Sequence, residues 1–267
     1  MGQRRRARIE LGTEAESRDR DKIRTRGAKI ETEGRNKMGY RYETHLHTCE
    51  GSGCASASGA EMARAHKELG YTGIFVTDHF FNGNTAVPRD LPWRERVERF
   101  CLGYEHARQE GEKIGLDVFF GFEYGVHAAD FLVYNLDKEW LLGHEDIDRE
   151  DARKAFALMR RDGGFIVQAH PFRERDYIDH IELFPRDVDG VEIINGAQLK
   201  DPRMNDRAKI YAMMYGLPVT AGSDSHHLHG LFGSGVELPE RVERPTDYLE
   251  MMRAGKLKCL GYGRVLE

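Results

Sequence analysis

From residue 41 onward, short apolar runs alternate with longer amphipathic segments, and this alternation narrows the possible folds more than any other feature. "RYETHLH", "GIFVTDH" (73–79), "DVFFGFE", "DFLVYNL", "FIVQAHP", "GVEIING" and "LPVTAGSDSH" read as strands. "SGAEMARAHKELG" reads as a helix. Ser58 and Glu61 make a capping-box pattern, Met62, Ala65, His66 and Leu69 share a face, and Gly70 ends it. "WRERVERFCLGYEHARQEG" is a second helix with Val97, Phe100, Cys101 and Tyr104 on one stripe. "DREDARKAFALMRRDGG", N-capped by Asp148, is a third, and "DPRMNDRAKIYAMMYG" a fourth. Such alternation predicts an α/β protein with a mainly parallel sheet, and about seven units favour a closed barrel over an open sheet. The Met-rich "YAMMYG" and "YLEMMRAG" are read as core stripes.

Residues 1–37 stand apart. They hold 12 Lys/Arg against 7 Asp/Glu, or +5, with no aromatic residue and no histidine. The whole chain carries −5, so residues 38–267 carry −10. A segment so poor in apolar surface does not fold alone. We expect 1–37 to be a disordered extension, or an upstream stretch translated ahead of an alternative start at Met38. Residues 38–267 are expected to form one domain. "RRRAR" offers a nucleic-acid-binding arm, but the acidic body argues against broad nucleic-acid binding. No apolar run is long enough to span a bilayer, and no secretory h-region is visible. The four cysteines form no CxxC and no paired framework, which favours a reducing cytoplasm.

The chemistry is carried by polar residues at strand edges: His45/His47, Asp78/His79, Glu123, Asp130, His170 and Asp224/His226. On a strand, His45 and His47 point to one face. In α/β barrels the C-terminal strand ends form the active face. Each pair alone has an ordinary explanation as a turn, a cap or a core histidine. Such edges, delivering imidazole and carboxylate together, suit a multinuclear divalent-metal site.

"HLHT", "VTDH", "GFE", "QAHP" and "GSDSHH", in this order and at these distances, resemble the motifs of the PHP (polymerase and histidinol phosphatase) superfamily over roughly residues 40–230. The resemblance implies a distorted (β/α)7 barrel, two or three divalent ions (zinc, manganese or iron), and phosphoester hydrolysis by a hydroxide held between ions. By the same resemblance, His45, His47, Glu123 and Asp224 match a first metal site. Glu123 would bridge to a second ion held also by His170. His79 and His226 match a pair that binds a third ion or contacts phosphate and protonates the leaving alcohol.

Two positions depart from the family pattern. Ser52 stands where the family usually has Asp or His, with Glu50 or Cys54 as possible substitutes. The second ion's further ligand falls on Asp130, with His127 as competitor.

Other candidates have both functional and ordinary readings. Arg173 is placed to pair with a substrate phosphate or to lie solvated on the surface. Asn195 lines the pocket or caps a turn. Cys49 and Cys54 are thiolate ligands or small loop residues. His227 and His229 extend the last motif, while His66, His106, His144 and His180 look ordinary. A small phosphomonoester or a nucleotide is the expected substrate. The alternatives are an oligonucleotide phosphoesterase or exonuclease, and a non-catalytic metal-binding module serving a partner. A C–N hydrolase would usually need a bridging lysine, where this chain has Glu123.

Overall fold

In a computed structural model, residues 39–229 and 233–261 are described; the expected extension at 1–37 lies outside them. Among the described residues one sheet holds nine strands in the order β7-β6-β5-β4-β3-β2-β1-β8-β9. β1 (Tyr40–Leu46), β2 (Gly73–Val76) and β3 (Asp117–Val126) run parallel. So do β5 (Phe165–Ala169), β6 (Gly190–Asn195) and β7 (Val219–Gly222). β4 (Ala129–Tyr134) joins the two triplets, antiparallel to both. β8 (Gly235–Leu238) and β9 (Lys258–Leu260) add an antiparallel edge beside the first half of β1.

The second half of β1 closes the ring against the end of β7. Thr44 Oγ1 donates to the Ala221 carbonyl (2.8 Å), Asp224 N to the His45 carbonyl (2.8 Å) and His47 N to the Ser225 carbonyl (2.9 Å). The distorted seven-stranded barrel expected from the motifs is therefore present.

One strand of the barrel, β4, runs against the other six, and the reason is the length of one connection. Val126 pairs with Ala129, leaving only His127 and Ala128 between β3 and β4. Two residues can join only antiparallel strands, whereas a parallel crossover needs a dozen or more. The start of β4 consequently lies on the rim where the parallel strands end, and Asp130 reaches that rim from a strand's beginning.

α1 (Gly59–Glu68) begins at the expected capping box: Ser58 N donates to Glu61 Oε2 (2.8 Å) and Glu61 N to Ser58 Oγ (3.4 Å). The long second helix is two pieces, α2 (Trp93–Phe100) and α3 (Leu102–Ile114), meeting at Cys101. The change of direction brings Gly103 onto the loop after β1, where a Cβ would collide with Thr48 Oγ1. α4 (Lys138–Leu142) is short, and α5 (Ala152–Arg161) is capped by Asp151, not Asp148. Asp148 instead pairs with the buried Arg96 at 2.8 Å, whose guanidinium lies over Phe81 and Trp93. α6 (Pro202–Tyr215) turns Met204, Ala208, Tyr211 and Ala212 inward, at helical spacing. Met213 and Met214 fall on its outer side and are 76% and 72% exposed, so "YAMMYG" is not a core stripe. On α7 (Pro245–Arg253), Met251 and Met252 are buried as expected. No helix among the described residues is long and apolar enough to cross a membrane.

The two roles for Asp148 predict different costs. Losing a helix cap costs about 1 kcal/mol, whereas stranding a buried guanidinium costs about 3–5 kcal/mol. Denaturant unfolding of Asp148→Ala is expected to show the larger loss, and a loss near that of a cap would refute the pairing role.

Candidate metal centre

Glu123 sits at the centre of the rim, buried, with imidazoles on three sides. Its Oε2 lies 2.5 Å from His79 Nδ1, and its Oε1 lies 3.1 Å from His170 Nε2 and 3.4 Å from His45 Nε2. His45 Nε2 and His47 Nε2 face each other at 3.1 Å, and Asp224 Oδ1 lies 3.5 and 3.3 Å from them. Asp130 Oδ2 stands 4.0 Å from His170 Nε2 on the outer side. These donors fall into overlapping triads: His45–His47–Asp224, Glu123–Asp130–His170 and His47–His79–His226. Four donors at about 2.1 Å from one tetrahedral ion lie roughly 3.4 Å apart, close to the separations around Asp224.

The hydrogen bonds behind these rings decide which nitrogens are free. His45 Nδ1 donates to Glu192 Oε1 (2.9 Å), which leaves a lone pair on Nε2. Ser52 Oγ gives its proton to Asp78 Oδ1 (2.7 Å), so at 3.0 Å it can only accept from His47 Nδ1. His47 Nε2 is therefore also a lone pair. Two lone pairs and a carboxylate converging in a buried space repel one another unless a cation or a proton lies among them. The donor set thus fits divalent ions.

Without an ion, protons take that place. Burial lowers the His45 pKa, but Glu192 and Asp224 outweigh it and hold the ring well above its usual value. Burial likewise lowers His79, and Glu123 with Cys54 raises it to about 11. Burial raises the Glu123 carboxyl, but His79, His170 and His45 hold it well below the ordinary range.

Two supporting residues, Glu192 and Glu43, carry no motif in the sequence. Glu192, fully buried on β6, bonds His45 Nδ1 and accepts from His170 N (3.0 Å). Glu43 Oε1 accepts from His45 N (2.8 Å) and Ser223 N (2.9 Å). Asn195, left open as lining or cap, donates Nδ2 to Glu192 Oε2 (3.0 Å) and Asp224 Oδ2 (3.2 Å). His170 and Asp224 both have positive φ, 25° and 56°. Such backbone costs about 1–3 kcal/mol per residue and is held by Glu192 at one position and the His45 carbonyl at the other.

The remaining candidates separate clearly. Asp130 is opposite Gly125 on β4, on the Glu123 side of the hairpin, while His127 is at the turn and 78% exposed. Arg173 donates Nη2 to Asp130 Oδ2 at 2.8 Å. With His79, His226, Asp130, Tyr177 and Cys54 it lines a cleft of about 750 Å³, within the usual size of a ligand site. Cys54 lines the cleft with His79 and His226, whereas Cys49 is exposed and bonds Glu50. His227 donates to or accepts from Ser56 Oγ at 2.7 Å outside the cluster.

Residues 202–257 match the model of the PHP-associated family. Among curated proteins none matches the sequence. Solved structures share the fold, among them the following three. One is a two-domain protein from Bacteroides vulgatus containing a predicted PHP-like metal-dependent phosphoesterase, with TM-score 0.63 and 15% identity. That match covers 84% of this chain, which spans only 65% of the other. A provisionally assigned metal-dependent phosphoesterase from Bifidobacterium adolescentis gives 0.50 at 15% identity over 70% of this chain and 88% of that one. The lesion-specific endonuclease PfuEndoQ from Pyrococcus furiosus gives 0.50 at 12% identity over 83% and 58%.

Residues 202–257 thus resemble the PHP-associated family, and the barrel shares its fold with PHP-like proteins. The segment matched to the PHP-associated model includes α6, β7 and α7, and within it Asp224 and His226. The cage of imidazoles and carboxylates coincides with the ends of the barrel strands.

Two outcomes follow for this site. Glu192→Gln keeps the shape but weakens the hold on His45 Nδ1, and is expected to lower metal affinity about 10- to 100-fold in chelator competition; unchanged affinity would remove Glu192 from the support. The protons on His45 and His79 must leave before those rings ligate. Metal uptake near neutral pH is thus expected to release protons and to strengthen as pH rises, read by calorimetry in two buffers of different ionisation enthalpy. A heat independent of buffer would contradict it.

Proposed function

We propose that this protein is a metal-dependent phosphoesterase acting on a small phosphomonoester or nucleotide. The observation that carries this reading is the Glu123-centred cage opening onto the Arg173 cleft: ligands for adjacent cations beside a guanidinium suited to phosphate. His45, His47, Glu123 and Asp224 would hold one ion, and Glu123, Asp130 and His170 a second. Divalent ions bound there lower the pKa of water and polarise a phosphoryl oxygen.

The chain's own residues do the rest. Arg173, anchored by Asp130, pairs with a phosphate oxygen and orients the phosphorus toward the cage. Glu123, held ionised by its imidazoles, keeps the two positions together. His79 and His226 line the cleft on the side of the leaving oxygen. His79 Nδ1 lies 2.5 Å from Glu123 Oε2, and His226 Nδ1 bonds the Asp224 carbonyl (2.9 Å), which leaves His226 Nε2 for the substrate. There they either protonate the leaving alcohol or hold a further cation.

The size and charge of the cleft support a small substrate. Asp176 and Asp179 stand on its wall with Tyr177, and the body of the chain is acidic, which disfavours a long polyanionic strand. The exposed Tyr177 ring favours one further reading, stacking of a single base, which fits a nucleotide.

Chelator-stripped protein is expected to be inactive on a panel of phosphomonoesters, nucleotides and short oligonucleotides, and to recover with manganese or zinc. Glu123→Gln should lower kcat by more than about 100-fold, beyond what loss of an outer contact costs. Arg173→Ala should lower kcat/KM by about 10- to 100-fold, the worth of one charge-assisted hydrogen bond, mainly through KM. Full activity in Glu123→Gln, or in metal-free protein, would sink the proposal.

A further inference from the structure

His66 looks ordinary in the sequence, a histidine on the inner face of α1, but its ring is buried with Nε2 toward Glu43. The Glu43 carboxylate is itself fully buried. Its Oε1 accepts from His45 N (2.8 Å) and Ser223 N (2.9 Å), one donor on each side of the seam that closes the barrel. Its Oε2 has no hydrogen-bond partner. Among the described residues His66 is the side chain that pairs with Glu43, Nε2 lying 3.8 Å from Oε2, within ion-pair range. Neighbouring polar groups are spent elsewhere. Tyr71 packs edge-on against His66 and donates its hydroxyl to the Ser234 carbonyl. The Arg41 guanidinium donates to the Leu69 (3.4 Å) and Gly233 (3.3 Å) carbonyls.

We propose that His66 is a positioning residue for the metal centre, acting through Glu43 on the backbone of His45 and Ser223. This rests on the metal-dependent reading above and adds a residue to it. His66 Nδ1 lies 2.8 Å from the Met62 carbonyl, which can only accept, so Nδ1 carries a proton. A bare Nε2 would set its lone pair against those of Oε2 in a place closed to water. A proton therefore lies between the two and holds the carboxylate toward α1. Without His66 a buried oxygen is left uncompensated, and the carboxylate regains a partner only by turning away from the seam. The His45 and Ser223 amides then lose their acceptor. The β1–β2 pairing is irregular between Glu43 and Leu46, and the carboxylate stands in there for a ladder bond. The Glu123–Asp130–His170 triad stands on β3, β4 and the end of β5, so the effect falls on the His45–His47–Asp224 position.

Zinc uptake by the stripped full-length chain, in competition with a chromophoric chelator, tests this with variants that each keep one ring nitrogen. His66→Gln places an amide nitrogen where Nε2 stood, and His66→Asn places one where Nδ1 stood. His66→Asn is expected to weaken a single equivalent about 10-fold, the lower end for a partner behind a ligand, and to leave the rest unchanged. His66→Gln should stay near wild type. In a Glu43→Gln background, where the amide supplies its own proton toward position 66, the two variants should bind alike. His66→Leu, of similar bulk and with neither nitrogen, should match His66→Asn and carries the test if that variant does not fold. Binding by His66→Asn as tight as by wild type, or tighter than by His66→Gln, would overturn the proposal, as would an equal fall in every equivalent. Tight uptake unmoved by any of these variants would remove His66 and leave the metal-dependent reading intact. A wild type that takes up no zinc tightly would remove both.

Discussion

Seven strands become a ring through the contact between the second half of β1 and the end of β7, and the site exists only because that contact forms. His45 and His47 arrive from one strand, Asp224 and His226 from the turn after the other. The Asp224 N–H bonds the His45 carbonyl, and the His47 N–H bonds the Ser225 carbonyl, so the closing bonds run through ligand residues themselves. Gly222 permits the approach; a Cβ there would collide with His45 Cβ and press on Glu192 Oε1. Glu43 completes the clasp. The pairing of β1 with β2 slips between Glu43 and Leu46, and the carboxylate of Glu43 takes the His45 N–H together with that of Ser223. A buried acid two residues before the first histidine is thus part of how the barrel shuts.

Burying this many ionisable groups is unfavourable unless their charges are balanced. The network answers that partly within itself: Glu192 faces His45, Glu123 faces three imidazoles, and Asp78 gathers Thr48 N (2.6 Å), Thr48 Oγ1 (2.7 Å) and Ser52. What remains unbalanced is the inward side of the cage, where lone pairs meet. Strained backbone at His170 and Asp224 adds to the cost on the same side. Cation binding would relieve the repulsion while the barrel, closed by hydrogen bonds outside the cage, keeps the donors in place.

How far the sequence could be read depended on where each residue falls relative to a strand end. His45/His47, Asp78/His79 and Asp224/His226 lie where apolar runs stop, so composition marks them. Glu192 and Glu43 lie inside buried strands, where a lone acid in an apolar run has no period or motif to expose it; only its burial shows that it must serve another group. The orientation of β4 was legible in principle, since a two-residue connection excludes a parallel crossover. The break at Cys101 was not, because the stripe through Val97, Phe100, Cys101 and Tyr104 continues across it and only Gly103's tertiary contact redirects the helix. Asp148 and Asp151 both suit a helix start, and the choice was made by Arg96, which is remote in sequence.

Asp130 shows how the hairpin ties the parts of the site together. Its carboxylate stands between His170 and Glu123 on one side and Arg173 on the other, 2.8 Å from the guanidinium and 4.0 Å from the imidazole. Burial and the charge of Glu123 push its pKa up, against His170 and Arg173. A cation at the Glu123–His170 position would draw on the same carboxylate that holds Arg173 in place. The guanidinium would then be held less tightly by Asp130 and be freer to meet an anion in the cleft. Because one short hairpin sets Asp130 opposite Gly125, any metal loading and anion binding would be coupled through a single side chain, and the turn at His127 and Ala128 is what fixes that register.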